Sequence, residues 1–369
     1  MNAEQYQQTS QQVILLHEEL RQEWPQLKRI AIALYNAQTD ELHTFVNATT
    51  GGSPLNHYTQ QLKKIPSLQA IADSATPRII DNLDVFADNL SEHSQKILQA
   101  GFRSSFTLPM FTQNHKLLGF IFYDADEPAF FTPIMQNHLS VYSELIQSLV
   151  IVDILPLKMI HAAVNMTQAV TRFKDEETSE HMARMAHYAR LIATSIADEV
   201  GISDEVIQYI FLYSPLHDIG KVGVPDALLL KHGTLTSDEF VIMQTHVTKG
   251  VEIVDTLINE FELDPEGHVH ILRNIVAYHH ERLDGTGYPY RLTAENIPIE
   301  SRIAAVADVF DALTSDRPYH RGRSQEEAFA YLEAYSGQYF DTRCVQALIQ
   351  NTEAIMAIKA AFEPKIEQK

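Results

Sequence analysis

Leu216-His217-Asp218-Ile219-Gly220-Lys221 and, further along, His279-His280-Glu281-Arg282-Leu283-Asp284-Gly285-Thr286-Gly287-Tyr288-Pro289 are the two stretches that decide how this chain is read. Each holds two adjacent residues able to ligate a metal. A second adjacent histidine gains nothing in ordinary packing. A consecutive pair can straddle two ions, an aspartate bridging while a histidine binds one. The segments around them read as helix, so an all-α domain is expected there. The chemistry implied is a multinuclear metal centre that cuts phosphate esters.

Other ligand types fall where helix geometry can bring them to the same place. Glu177 and His181 are four apart and project from one helix face. His217 and Asp218 are expected about 100° apart around a helix. His246 lies in a helix that starts near Ser237, capped by Thr236 and Glu239. Asp308 sits in the apolar run RIAAVADVFDALT, where an unpaired carboxylate is costly unless it binds metal. Asp311, one turn on, is expected to orient a ligand or to carry a helix-face charge. His161, His187, His232, His268, His270 and His320 read as ordinary surface or core histidines.

The donor set is five histidines and three carboxylates, enough for two or three ions. Imidazole and carboxylate suit iron, with manganese as the alternative. Cys344 is the single cysteine, which removes a disulfide framework, thiolate zinc and iron-sulfur clusters from consideration.

Composition bounds the rest. At 369 residues and 45% hydrophobic content the chain can bury two cores. Its net charge of −20 argues against polymeric nucleic acid and anionic membranes as partners, since both reward excess Lys and Arg. An anionic small substrate then needs bound metal to supply local positive charge. The opening MNAEQYQQTSQQ has none of the basic and apolar blocks of a signal peptide. Leu145 to Leu157, interrupted by Asp153 and Pro156, is too short to span a bilayer. A cytoplasmic, soluble protein is expected.

The fold class expected is α+β, with two domains of different texture: residues 1–150 with a connecting helix at about 132–156, then residues 157–369. In the first, Ile30 to Tyr35 and Leu42 to Val46 flank the turn AQTDE, and Arg103 to Phe111 and Lys116 to Tyr123 flank TQNH, which predicts two hairpins. Helical patterns near Leu68 to Ala72 and Glu92 to Ala100 predict helices flanking an antiparallel sheet. Met135, Leu139, Tyr142, Ile146 and Leu149 follow the spacing of a coiled-coil seam or of a helix packed on one partner, and Pro156 is expected to kink or end that helix. Beyond Leu157 the chain reads as helix throughout, with Gly201 as a stop, Ser203 as a cap and Ser324 with Glu327 as a capping box.

The order of hairpin and helices, followed by GFRSSFTLPMFTQNHKLLGFIFYDADEPAFFT, resembles the second half of a GAF domain. That resemblance implies a pocket for a small ligand, or a dimerisation module, and a homodimer is expected. Bilin attachment through a thioether is excluded by the lack of cysteine in this half, and haem ligation by His57, His93 or His115 is the weaker alternative to surface histidines.

HDIGKVGVPD, His246, HHERLDGTGYP and RIAAVADVFDALTSDRPY, in that order, resemble an HD-GYP domain over about residues 157–350. The resemblance implies metal-dependent hydrolysis of a cyclic dinucleotide. Cyclic di-GMP is the first choice, giving linear pGpG and in some members GMP, and cyclic GMP-AMP is the alternative substrate. A cyclic-dinucleotide-binding module with slow turnover, contacting diguanylate cyclase (GGDEF) domains, is the non-enzymatic alternative. Carried over residue by residue, the implied metal ligands are His181, His217, Asp218, His246, His279, His280 and Asp308, with Glu177 matching the extra carboxylate of trinuclear members.

Asp218 is expected to bridge and to orient the nucleophile. Lys221 stands near the doublet, where a cation can meet a phosphate oxygen as charge rises. Gly285 and Gly287 permit tight turns that place Tyr288 to stack on or bond to the nucleotide. Arg317 resembles the family's phosphate- or base-contacting arginine. Two departures from the family pattern stand out: His320 and Arg321 follow RPY where a lysine is usual, and Pro215 precedes the doublet.

Overall fold

The structure, a computed structural model, describes residues 8–50, 55–86, 92–170, 179–231, 233–261, 263–265, 267–315 and 322–362. The chain divides into two compact units, residues 7–156 and residues 157–369.

The first unit is built on an antiparallel sheet in the order β3-β2-β1-β6-β5-β4. Its strands are β1 (Leu27–Asn36), β2 (Glu41–Thr49), β3 (Thr59–Gln61), β4 (Arg78–Ile80), β5 (Ser104–Phe111) and β6 (Leu117–Ala125). Both predicted hairpins form: Tyr35 pairs with Leu42, and Phe111 with Leu117. The central strands β1 and β6 are apolar on both sides because both faces are covered. Ile30, Ile32, Phe106 and Tyr123 share one core with Val13 and Leu20 of α1 (Gln8–Glu23). Ala31, Phe120 and Phe122 face Leu68 and Ile71 of α2 (Pro66–Ser74) on the other. α3 (Glu92–Gln99) adds Ile97 to a small cluster with Leu83 and Phe102.

α4 (Pro133–Val170) lays Met135, Leu139, Ile146 and Val150 onto the first of these cores. The seam is therefore that of a helix packed on its own sheet; after Ile146 it runs through Val150 in place of Leu149 and on to Ile154. Pro156 does not end this helix. A proline removes one N–H from the ladder, and a helix of 38 residues keeps bonds on both sides of the gap.

The second unit is all-helical among the described residues: α5 (Ser179–Val200), α6 (Asp204–Tyr213), α7 (Asp226–Leu229), α8 (Ser237–Glu260), α9 (Val269–Tyr278), α10 (Ile299–Thr314), α11 (Gln325–Ala334), α12 (Thr342–Gln350) and α13 (Thr352–Ala361). Its helix starts are those the capping residues imply. Ser203 accepts from the Val206 amide, and Thr236 with Glu239 and Ser324 with Glu327 form reciprocal capping boxes. One core collects Tyr188 and Ile192 from α5, Ile275 from α9, Phe310 from α10 and Leu348 from α12. Phe310 is fully buried with Tyr188 edge-on at 5.1 Å, so Phe310→Ala should cost about 3–5 kcal/mol. This packing fixes the helices on which, or beside whose ends, the candidate ligands stand.

Candidate metal centre

The His217-Asp218 doublet does not lie inside an α-helix. α6 stops at Tyr213, Pro215 opens a 3-10 turn over Ser214–Leu216, and Asp218 precedes another over Ile219–Gly223. Pro215 lacks an amide proton and suits the first positions of a turn, so it starts a new element where a kink was expected. The second turn packs against α8 so closely that a Cβ on Gly220 would lie 1.9 Å from the His246 carbonyl oxygen. Glycine at that position is what brings Asp218 to His246.

Two donor groups result. Asp218, His246, His279 and His280 form one, and His181, His217 and Asp308 the other, with the donor atoms of each within 4.8 Å of one another. Asp218 stands between them. Its Oδ1 is 3.0 Å from His246 Nε2 and 3.6 Å from His279 Nε2, while Oδ2 is 3.1 Å from His217 Nε2. His217 Nε2 in turn lies 3.7 Å from Asp308 Oδ1, and His181 Nε2 lies 3.9 Å from the same oxygen.

The far side of the imidazoles sets their protonation. Nδ1 of His217 donates to the Ser214 carbonyl at 2.9 Å, that of His246 to Met243 at 2.8 Å and that of His279 to Ile275 at 2.9 Å. In a neutral ring with its proton held on Nδ1, Nε2 is the nitrogen left to ligate a metal. Nε2 of His246 and of His279, and Oδ1 of Asp218, are buried without a hydrogen-bond partner. Lone pairs brought this close in a buried site repel unless a cation lies among them, so these residues fit a metal.

Charge in the site follows the same pattern. Burial alone would push the Asp218 carboxyl up, but Lys221 and His217 beside it hold it well below the usual carboxylate range. Burial, reinforced by His279, drives His280 well below the ordinary imidazole value, and burial lowers His279. An ionised Asp218 and the lowered imidazoles of His279 and His280 are in the protonation states that bind divalent metal. Lys221 Nζ is 2.8 Å from Asp218 Oδ2.

His181 is oriented differently. Its Nδ1 donates to Asp311 Oδ2 at 2.6 Å, and Arg184 grips the same carboxylate through Nε at 2.7 Å and Nη2 at 2.9 Å. Burial opposes ionisation of Asp311, but the bonds from His181 and Arg184 hold its carboxyl low. Asp311 is thus a buried carboxylate that orients a candidate ligand, not a helix-face charge.

The loop after α9 is held by Glu281, a residue passed over in the sequence. This buried carboxylate accepts from the amides of Tyr290, Arg291 and Leu292 at 2.7, 3.0 and 3.0 Å. Its chain neighbourhood leaves no room at Gly287, where a Cβ would fall 2.4 Å from the Arg282 nitrogen. Tyr288 is thereby set 4.7 Å from the His280 ring and 6.0 Å from Phe240. It also lines a cavity of about 570 Å³ together with Gln244, Thr245 and Thr248 of α8 and Arg291. Glu177, Arg317, His320 and Arg321 lie outside the described residues. Only a structural view could single out Glu281 and Arg184, because each acts through partners remote in sequence or through backbone amides.

Residues 173–344 match the HD domain family. The chain is 42% identical over 190 residues to the cyclic di-GMP phosphodiesterase response regulator RpfG of Xanthomonas campestris, covering 52% of this chain and 47% of that protein. It is 37% identical over 198 residues to 3'3'-cGAMP-specific phosphodiesterase 2 of Vibrio cholerae, covering 54% and 36%. Among solved structures it is similar to the GAF domain of an Acinetobacter phosphoenolpyruvate-protein phosphotransferase, with a TM-score of 0.30, 12% identity and coverage of 44% of this chain and 90% of that one. The chain spans about half the length, or less, of the curated relatives named here.

Proposed function

We propose that the HD domain carried by this chain is a metal-dependent phosphodiesterase that hydrolyses cyclic di-GMP to linear pGpG, with the first unit as its regulator. The observation that carries this reading is Asp218, whose two oxygens face two different groups of metal donors. Names borne by the relatives support the substrate class.

His181, His217 and Asp308 would hold one ion, and His246, His279 and His280 a second, with Asp218 shared; Glu177 is the proposed ligand of a third. Iron is the proposed metal and manganese the alternative. When bound, such ions neutralise charge on the scissile phosphate and lower the pKa of the attacking water.

The chain's own residues supply the rest. Asp218 orients the nucleophile from the centre of the site. Lys221 pairs with Asp218 and is near enough to turn to a phosphate oxygen as negative charge grows. Tyr288 offers a ring face and edge to a nucleobase in the neighbouring cavity, positioned by His280 behind it. Arg317 is proposed to contact phosphate or base. Ions held by these residues would supply the local positive charge that a protein of net charge −20 otherwise lacks for a dianion.

A second reading, hydrolysis of 3',3'-cyclic GMP-AMP, is favoured by the relative of that specificity. Product chromatography on the iron-loaded chain, offered each dinucleotide anaerobically, separates the two. Appearance of pGpG supports the first reading, cleavage of the hybrid dinucleotide alone supports the second, and cleavage of neither overturns both in favour of a binding module.

A further inference from the structure

The cavity of about 570 Å³ beside Tyr288 falls in the size range of small-molecule sites, and its lining is mixed. Val241 and Tyr288 are among its apolar and aromatic residues, and Gln244 and Thr248, one turn apart on α8, are among its neutral polar ones. Among the described lining residues Arg291 is the one with a charged side chain. Arg282, earlier in the same loop, stacks over the Tyr339 ring at 4.1 Å and does not line the cavity.

The backbone at Arg291 is strained. Its φ is +56°, in the left-handed region, and among the described residues of the second unit no other non-glycine residue takes a positive φ. Backbone of this kind persists only where its surroundings over-determine it, and it gathers at ligand sites. Glu281 supplies the constraint, since its carboxylate accepts from the amides of Tyr290, Arg291 and Leu292. That capture fixes the point from which the Arg291 side chain leaves the loop. The residue is exposed, and its guanidinium makes no hydrogen bond or ion pair with the described residues.

We propose that Arg291 selects guanine, its guanidinium meeting O6 and N7 of a base that lies beside Tyr288 in this cavity; the inference rests on the cyclic dinucleotide reading above. A guanidinium has donors only, so its partner must present acceptors. Guanine offers two side by side, O6 and N7, whereas adenine replaces one of them with the N6 amino donor, which an arginine opposes. An aromatic wall suits a base better than a phosphate, and in the reading above the phosphate is met by Lys221. Cyclic di-GMP and cyclic GMP-AMP each carry a guanine and satisfy the site. Cyclic di-AMP does not.

The test compares the iron-loaded full chain with its Arg291→Gly and Arg291→Gln variants, by calorimetric titration of GMP and AMP and by kcat/KM on cyclic di-GMP and cyclic di-AMP. Wild type should bind GMP about tenfold or more tighter than AMP. Glycine adopts φ +56° without strain, so Arg291→Gly should fold as well as wild type and lose most of that ratio. Arg291→Gln, whose amide can match N6 and N7 of adenine, should move the ratio toward AMP. No GMP binding, equal binding of GMP and AMP by wild type, a ratio unchanged in both variants, or an equal loss for GMP and AMP, which would make Arg291 a phosphate contact, overturns the proposal. Titration needs no turnover, so a chain that shows the GMP preference but cuts no cyclic dinucleotide would overturn the hydrolytic reading and leave the guanine site standing.

Discussion

In the first unit Arg29 and Asp124 are each about 3% exposed and are each other's partner, a buried charge answered within the chain. Asp218 of the second unit is 8% exposed, and its Oδ1 has no hydrogen-bond partner although Nε2 of His246 and of His279 lie 3.0 and 3.6 Å away. Both carboxylates sit among packed side chains, yet Asp124 closes on Arg29, whereas Asp218 meets Lys221 with Oδ2 and leaves Oδ1 facing two ring nitrogens without a hydrogen bond. A buried ionic group that closes on itself serves the fold. One that is only half answered, with an oxygen left facing other groups that can ligate a metal, marks a candidate binding site.

The contrast can be broken first at its functional end. Asp218→Ala should bring hydrolysis of cyclic di-GMP to background, because it removes the group shared by both donor sets, while dinucleotide binding measured by calorimetry persists. Unchanged hydrolysis would sink the assignment. At the structural end, Arg29→Met strands Asp124 and should destabilise the chain by about 3–5 kcal/mol in denaturant unfolding, whereas Arg29→Met with Asp124→Leu should restore most of that stability. Metal binding should survive in both if the two regions differ as described.

A smaller effect is expected at Asp311, which touches a candidate ligand and no candidate ion. Asp311→Asn should lower metal affinity about 10–100-fold, read by competition with a chelator, and an affinity equal to wild type would show that His181 needs no such support. The smallest effect concerns Asp341, which caps α12. Burial would raise its carboxyl, but Arg343 and Arg302 hold it at about 2. Its folded value lies below the unfolded value of about 3.9, so its contribution is present above that pH and is lost as pH falls through 2. The difference in unfolding temperature between wild type and Asp341→Asn should therefore shrink as pH drops from about 4 toward 2. A difference that grows would contradict the pairing.

Much of this organisation is legible in the sequence because it is local. The hairpins follow from apolar runs around polar turns, and the helix starts follow from capping residues. His217 and His279 are visible because consecutive ligand residues have little use elsewhere. Non-local features are harder to see. Pro156 reads as a stop, but α4 continues because a single missing bond does not outweigh the rest of a long helix. The doublet reads as helical, yet it lies between two 3-10 turns, the first containing Pro215 and the second pressed on α8 at Gly220. Glu281 and Arg184 carry no pattern at all. Their roles come from three amides brought round by the loop and from a carboxylate on another helix.

The central claim is that Asp218 joins two donor groups into one metal centre. Quantifying iron bound per chain after anaerobic loading and removal of free metal tests it most directly. Two or three ions per chain, falling in Asp218→Ala, is the predicted result. One ion or none in the wild type, or the same stoichiometry without Asp218, would contradict it.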